Sequence, residues 1–133
     1  MARLAKLPRI VGVKDATADL VRPIRTKLAV EKEFIMLSGE DGTALPFLAQ
    51  GGVGCISVTS NVAPRLTAEM HKAWREGDLK HAMRINERLT PVNDAMFCET
   101  SPGPVKYAAS LLGKSSDELR LPLAPIAEAS RQK

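Results

Sequence analysis

Three short apolar runs, each followed by a polar loop and a helix-forming stretch, constrain this chain more than anything else in it. They are Ile10 to Lys14, Phe34 to Ser38 and Cys55 to Thr59. Each is apolar throughout rather than alternating, the pattern of a strand covered on both faces in a parallel sheet flanked by helices. A helix is expected from about Ala18 to Glu31, with Pro23 tolerated near its first turn. A shorter one is expected from Thr43 to Gln50, closed by Gly51-Gly52. Three parallel strands cannot close a barrel, which takes eight strands and typically ~250 residues. The stub Leu4 to Pro8 reads as the end of a helix. The pattern is therefore that of the back portion of a larger α/β fold.

No further strand is expected after Asn61. Pro64 opens a helix to about Glu76. Gly77-Asp78 then supplies a C′ glycine and an N-cap. The next helix carries Leu79, Ala82, Met83, Asn86, Leu89, Val92 and Met96 as an amphipathic stripe, with a kink expected at Pro91. Pro102 and Pro104 start another helix ending at Gly113. Arg120 to Leu123 is expected to be extended, with a last helix from about Pro125.

The composition fits a globular chain: 44% of its 133 residues are hydrophobic and 26% charged. No apolar run approaches the ~20 residues of a membrane span, and the start lacks the apolar core of a secretion signal. A cytoplasmic protein is expected, with Cys55 and Cys98 as buried thiols rather than a disulfide. The net charge of +4 is mild, and acidic and basic residues alternate through Arg75 to Lys80. With aromatics at 4%, there is no basic, base-stacking face, so nucleic-acid binding is not expected.

The chemistry concentrates on Lys14. An ammonium at the end of an apolar strand is costly unless it is solvated, paired or used. An amine held in a partly apolar pocket is uncharged part of the time, and can attack a ketone to form a Schiff base. The bland reading is a lysine that snorkels to solvent. Glu40 and Asp41 could act as an acid and base pair, but capping of the short helix explains them more simply. Asn61 reads as the N-cap of the helix after it. Gly51 to Gly54 lacks the Gly-Lys-Ser/Thr ending of a phosphate loop and precedes its strand, so these are turn glycines. His71 and His81 have no ligand constellation around them, and no metal site is expected.

The segment Ile10-Val-Gly-Val-Lys-Asp-Ala-Thr17 resembles the Schiff-base strand of the dihydrodipicolinate synthase family. Leu37 to Asp41, Gly51 to Pro64, Ser101 to Lys106 and Leu119 to Leu123 agree in order and spacing. These blocks favour this family over relatives such as N-acetylneuraminate lyase.

The resemblance implies an α/β fold, the C-terminal part of a TIM (β/α)8 barrel, followed by an all-helical region. Residues 1–61 would hold strands six to eight. Residues 62–133 would hold the last barrel helix and a C-terminal helical domain. Strands one to five would be absent, and with them the family's paired threonines, catalytic tyrosine, partner-chain tyrosine and carboxylate-binding arginine. The only tyrosine here, Tyr107, matches none of these.

The resemblance further implies that Lys14 forms a Schiff base with pyruvate and that the backbone carbonyl of Ile56 lines the pyruvate pocket. The enamine would then condense with aspartate semialdehyde, in lysine biosynthesis through diaminopimelate, without any metal or organic cofactor. The complete family enzyme would be a homotetramer, with Leu20 and Val21 in the region of subunit contact. The alternatives are a non-catalytic truncated chain, one half of a split enzyme, or a pyruvate-dependent relative using another aldehyde.

Overall fold

The computed structural model describes all residues from Met1 to Lys133. They form two compact units, Met1–Ser57 and Val58–Lys133. The boundary expected after Asn61 lies a few residues further on.

The first unit begins with a short helix α1 (Ala2–Ala5), followed by β1 (Gly12–Asp15), α2 (Arg22–Ala29), β2 (Ile35–Ser38), α3 (Ala44–Ala49) and β3 (Gly54–Cys55). The strands are parallel in the order β1-β2-β3. Lys14 stands opposite Leu37, Asp15 opposite Ser38, and Ser38 opposite Cys55. Side chains alternate between the faces of a sheet. Lys14, Ile35 and Leu37 therefore share one face, and Asp15, Met36 and Ser38 share the other.

The two faces differ in burial, which corrects the expectation of strands covered on both sides. Met36 is 4% exposed and Ser38 fully buried, whereas Ile35 is 46% exposed. Uniform apolarity marks residues suited to burial but does not supply the elements that bury them. The third strand is also shorter than the apolar run that announced it. The strand comprises Gly54–Cys55, and Thr59–Asn61 is a 3-10 turn. Gly51, which follows α3, adopts a left-handed φ of 93°, as its turn role requires. Gly52 is needed for space: a side chain there would collide with the Phe47 ring.

The second unit contains α4 (Pro64–Arg75), α5 (Leu79–Met96), α6 (Gly103–Leu111) and α7 (Glu128–Arg131). Asp78 caps α5, its Oδ1 accepting from the His81 N–H at 3.0 Å, as the Gly77-Asp78 pair foretold. The buried row of α5 is Ala82, Ile85, Leu89, Asn93 and Met96. The expected stripe was rotated slightly, since Leu79 and Met83 are more than half exposed. α4 presents Thr67, Met70 and Ala73 to the interior, and the two helices pack together. The helix runs unbroken through Pro91. Leu121-Pro122 forms a turn closed by Leu123 N–H to the Arg120 carbonyl at 3.0 Å, rather than an extended segment. The last helix starts at Glu128, later than Pro125. No helix is long and apolar enough to cross a membrane.

Candidate active site

Lys14 occupies the C-terminal half of β1 on the open face of the sheet and is exposed. Its aliphatic stem lies against Gly39, the first residue after β2. A Cβ at Gly39 would fall 2.6 Å from Lys14 Cε and 3.1 Å from Cγ. The two strand ends are tied by the Gly39 N–H, which donates to the Asp15 carbonyl at 2.7 Å. The lysine is thus set at the C-terminal edge of a parallel sheet, the edge where β/α barrels gather their reacting groups.

The loop leaving β1 is organised by Asp15, a residue outside the sequence candidates. This buried carboxylate accepts from the Thr17 N–H at 3.0 Å and the Thr17 hydroxyl at 2.6 Å. Its other oxygen meets Arg22 Nε at 3.2 Å. An aspartate two residues before a threonine is a local turn signal, and could have been read as such. These bonds fix the path of the chain immediately beyond Lys14, where Ala18 turns with φ 58°.

The loop leaving β2 carries a second polar group. The Ser38 hydroxyl donates to the Glu40 carbonyl at 2.8 Å and accepts from the Glu40 N–H at 3.1 Å. Glu40 Oε1 accepts from the Gly42 N–H at 3.1 Å. The Asp41 carboxylate, which is buried, accepts a short hydrogen bond from the Ser57 hydroxyl. The N-cap of α3 is Thr43, which makes no side-chain cap bond. Glu40 shapes its own turn, and Asp41 joins the β2 loop to the segment after β3. Ile56, between Cys55 and Ser57, donates its N–H to the Ser38 carbonyl at 2.8 Å. Its side chain is 48% exposed.

Cys55 sits within this electrostatic group. Burial pushes its thiol up to about 11, from an ordinary 9.0. The negative charges of Asp41 and Glu40 add to the rise, while the Ser38 hydroxyl and the Lys14 charge oppose it. Cys55 is half-buried and free, as is Cys98.

The remaining candidates serve other ends. Thr59 is buried and donates its hydroxyl to Asn93 Oδ1 at 2.7 Å, a pairing within the helical unit. Asn61 donates to the Val58 carbonyl at 2.9 Å, and the N-cap of α4 is Ala63 instead. His81 Nε2 lies 2.8 Å from Glu69 Oε1 on the helix surface. Tyr107 lies beneath the Arg131 guanidinium, 5.2 Å from ring centroid to cation. No His, Cys, Asp or Glu group is gathered closely enough to hold a metal ion.

Three parallel strands with intervening helices and a lysine at their C-terminal edge have the make-up of part of a β/α-barrel enzyme. The family that bears this arrangement is defined by sequence as well. The Dihydrodipicolinate synthetase family matches residues 1–133, and the chain belongs to that family.

Among its relatives is the 4-hydroxy-tetrahydrodipicolinate synthase of Acidiphilium cryptum (strain JF-5), 66% identical over 98% of this chain and 45% of that protein. The crystal structure of dihydrodipicolinate synthase from Aquifex aeolicus superposes with a TM-score of 0.94 at 36% identity, covering 99% of this chain and 45% of that one. The chloride-inhibited dihydrodipicolinate synthase of Acinetobacter baumannii, solved in complex with pyruvate, superposes with a TM-score of 0.90 at 37% identity, covering 98% and 45%. The chain thus spans a little under half the length of these relatives.

Proposed function

We propose that this chain carries the Schiff-base half of a 4-hydroxy-tetrahydrodipicolinate synthase, condensing pyruvate with aspartate semialdehyde. The observation that supports it most directly is Lys14 at the C-terminal edge of β1, its stem laid against Gly39. The strands would be six to eight of the barrel, and residues 62–133 the last barrel helix and a helical C-terminal domain.

The Lys14 amine adds to the pyruvate ketone, and loss of water leaves an iminium. The iminium acidifies the adjacent methyl group, and loss of a proton gives an enamine. The enamine carbon attacks the aldehyde carbon of aspartate semialdehyde, whose oxygen takes up a proton. The substrate's own amine then adds to the imine carbon and displaces Lys14, closing the ring and regenerating the free lysine. The lysine serves as the electron sink, so the reaction requires neither metal nor organic cofactor.

Ile56 would offer its backbone carbonyl to the pyruvate. Its N–H is held by the Ser38 carbonyl, and the neighbouring Ser57 is held by Asp41, so this backbone is anchored on both sides of the carbonyl. Val21, 54% exposed in the loop beyond Lys14, fits the expected region of subunit contact in a homo-oligomer.

Pyruvate and borohydride test the reading. A stable adduct located on Lys14 by peptide mass analysis, and lost in Lys14→Ala, is the expected result. An adduct spread over several lysines, or none at all, would sink it. Consumption of aspartate semialdehyde over N-acetylmannosamine then separates the synthase from a sialic-acid lyase, which would share the adduct. Because the only tyrosine is Tyr107, adduct formation with little turnover is expected of the chain alone.

A further inference from the structure

Gly39 has no backbone reason to be glycine. Gly51, Gly77 and Gly113 adopt φ values of 93°, 80° and 66°, where a side chain would be strained. Gly39 lies outside that left-handed region, so conformation alone would admit alanine, which folds at a smaller cost in chain entropy. What excludes a side chain is space. A Cβ there would fall 2.6 Å from Lys14 Cε, 2.8 Å from Ala16 Cβ and 3.1 Å from Lys14 Cγ. The Gly39 backbone cannot withdraw freely, because its N–H is bonded to the Asp15 carbonyl at 2.7 Å.

We propose that Gly39 is a positioning residue for Lys14: the volume a side chain would fill is occupied by the lysine stem, which sets where the amine stands. The inference rests on the Schiff-base reading, since it names what aims that nucleophile. It differs in kind from the other glycines of the sheet. A Cβ at Gly12 would strike the Ile35 carbonyl oxygen at 2.5 Å, a clash of backbone with backbone. One at Gly54 would meet only Leu37 Cδ2, at 3.3 Å. At Gly39 the nearest atom belongs to a flexible side chain, so a methyl group should move the amine, while the Ala16 Cβ at 2.8 Å yields only with its backbone and adds a cost in stability.

The test compares Gly39→Ala with Gly54→Ala in the purified chain. Borohydride trapping of pyruvate on Lys14 is expected to slow about 10- to 100-fold in Gly39→Ala at saturating pyruvate, the usual consequence of misplacing a reacting group by roughly an ångström. Half-saturation by pyruvate should stay close to that of Gly54→Ala. Adding Ala16→Gly to Gly39→Ala removes one of the two obstructing partners and should restore part of the trapping rate.

Trapping at the unaltered rate in Gly39→Ala would overturn the proposal. Where the Ala16 clash leaves Gly39→Ala too unstable to read, the rate is taken from Gly39→Ala with Ala16→Gly, and trapping there at the full unaltered rate overturns the proposal equally. Should the unaltered chain form no adduct, the Schiff-base reading fails separately. Positioning is then read from the Lys14 Cε resonance in chain carrying 13C-lysine. Movement in Gly39→Ala but not in Gly54→Ala supports the proposal, and an unmoved resonance overturns it.

Discussion

The sheet unit and the helical unit differ in what their strands and their longest helices leave uncovered. In the helical unit, the facing sides of α4 and α5 are closely packed: Met70, Ala73, Ala82, Ile85, Leu89 and Met96 are each no more than 6% exposed. In the sheet unit, several of the strongest apolar residues face outward. Val11, Ile35, Val53 and Ile56 are between 46% and 65% exposed, while Asp15, Ser38 and Asp41 are buried and hydrogen-bonded. The helical unit draws its stability from packing. The sheet unit spends hydrogen bonds on holding two loops and a lysine in place, and leaves an apolar face available for cover. A parallel sheet normally has both faces covered, so the open face is where this unit gains most from a further layer.

The widest gap between the two should appear in core truncation. Ile85→Ala removes a side chain that is 1% exposed and should cost about 2–5 kcal/mol. Ile35→Ala, at 46% exposure, should cost no more than about 0.5 kcal/mol. Urea unfolding followed by circular dichroism is suited to this, with the single tryptophan, Trp74 in α4, as a second signal from the helical unit. Equal losses in the two variants, measured by circular dichroism, would erase the distinction.

Asp15→Asn comes next. It keeps the shape but weakens bonds to the Thr17 N–H and hydroxyl and to Arg22, and should cost roughly 1–3 kcal/mol. It should also slow adduct formation on Lys14, whereas no helical-unit variant of similar cost should do so. Asp78→Ala supplies that control: loss of the α5 cap should cost about 1 kcal/mol and leave trapping unchanged.

The positions of these elements were largely written in local sequence. Strands one and two, α3 and the Asp78 cap each rest on neighbours within a few residues, so composition and spacing announce them. The end of the third strand was not legible. The expected run reaches Thr59, but the strand ends at Cys55, with one further bond from Ile56 to β2, and Thr59 turns to a partner, Asn93, far along the chain. The rotated stripe on α5 has a similar origin, since spacing selects a face and packing selects its centre. In the candidate site, Lys14 could be found from sequence, and so could Asp15 through its threonine. Gly39 could be read from sequence as a residue that lets backbone approach the pocket, but its contact with the lysine stem could not, because that depends on the register that brings the end of β2 beside it.

The smallest effect tests the electrostatics of the sheet unit against an ordinary thiol. With its proton held to about 11 in the folded chain, Cys55 should be alkylated by iodoacetamide at pH 8 about 100-fold more slowly than an unperturbed thiol of 9.0. The stability consequence has a definite sign. Below pH 9 the thiol is protonated in both states and contributes nothing. Between pH 9 and 11 the unfolded chain releases the proton while the folded chain keeps it, so stability falls as pH rises through that window. The thiol is only half-buried, and solvent screening should limit the loss to less than about 1 kcal/mol. Cys55→Ala should flatten the profile between pH 9 and 11. Asp41→Asn should speed alkylation and Lys14→Met should slow it, because one charge raises the thiol and the other lowers it. Opposite responses from these two variants would tie the thiol, the carboxylate and the lysine into one electrostatic group, and identical responses would dissolve it.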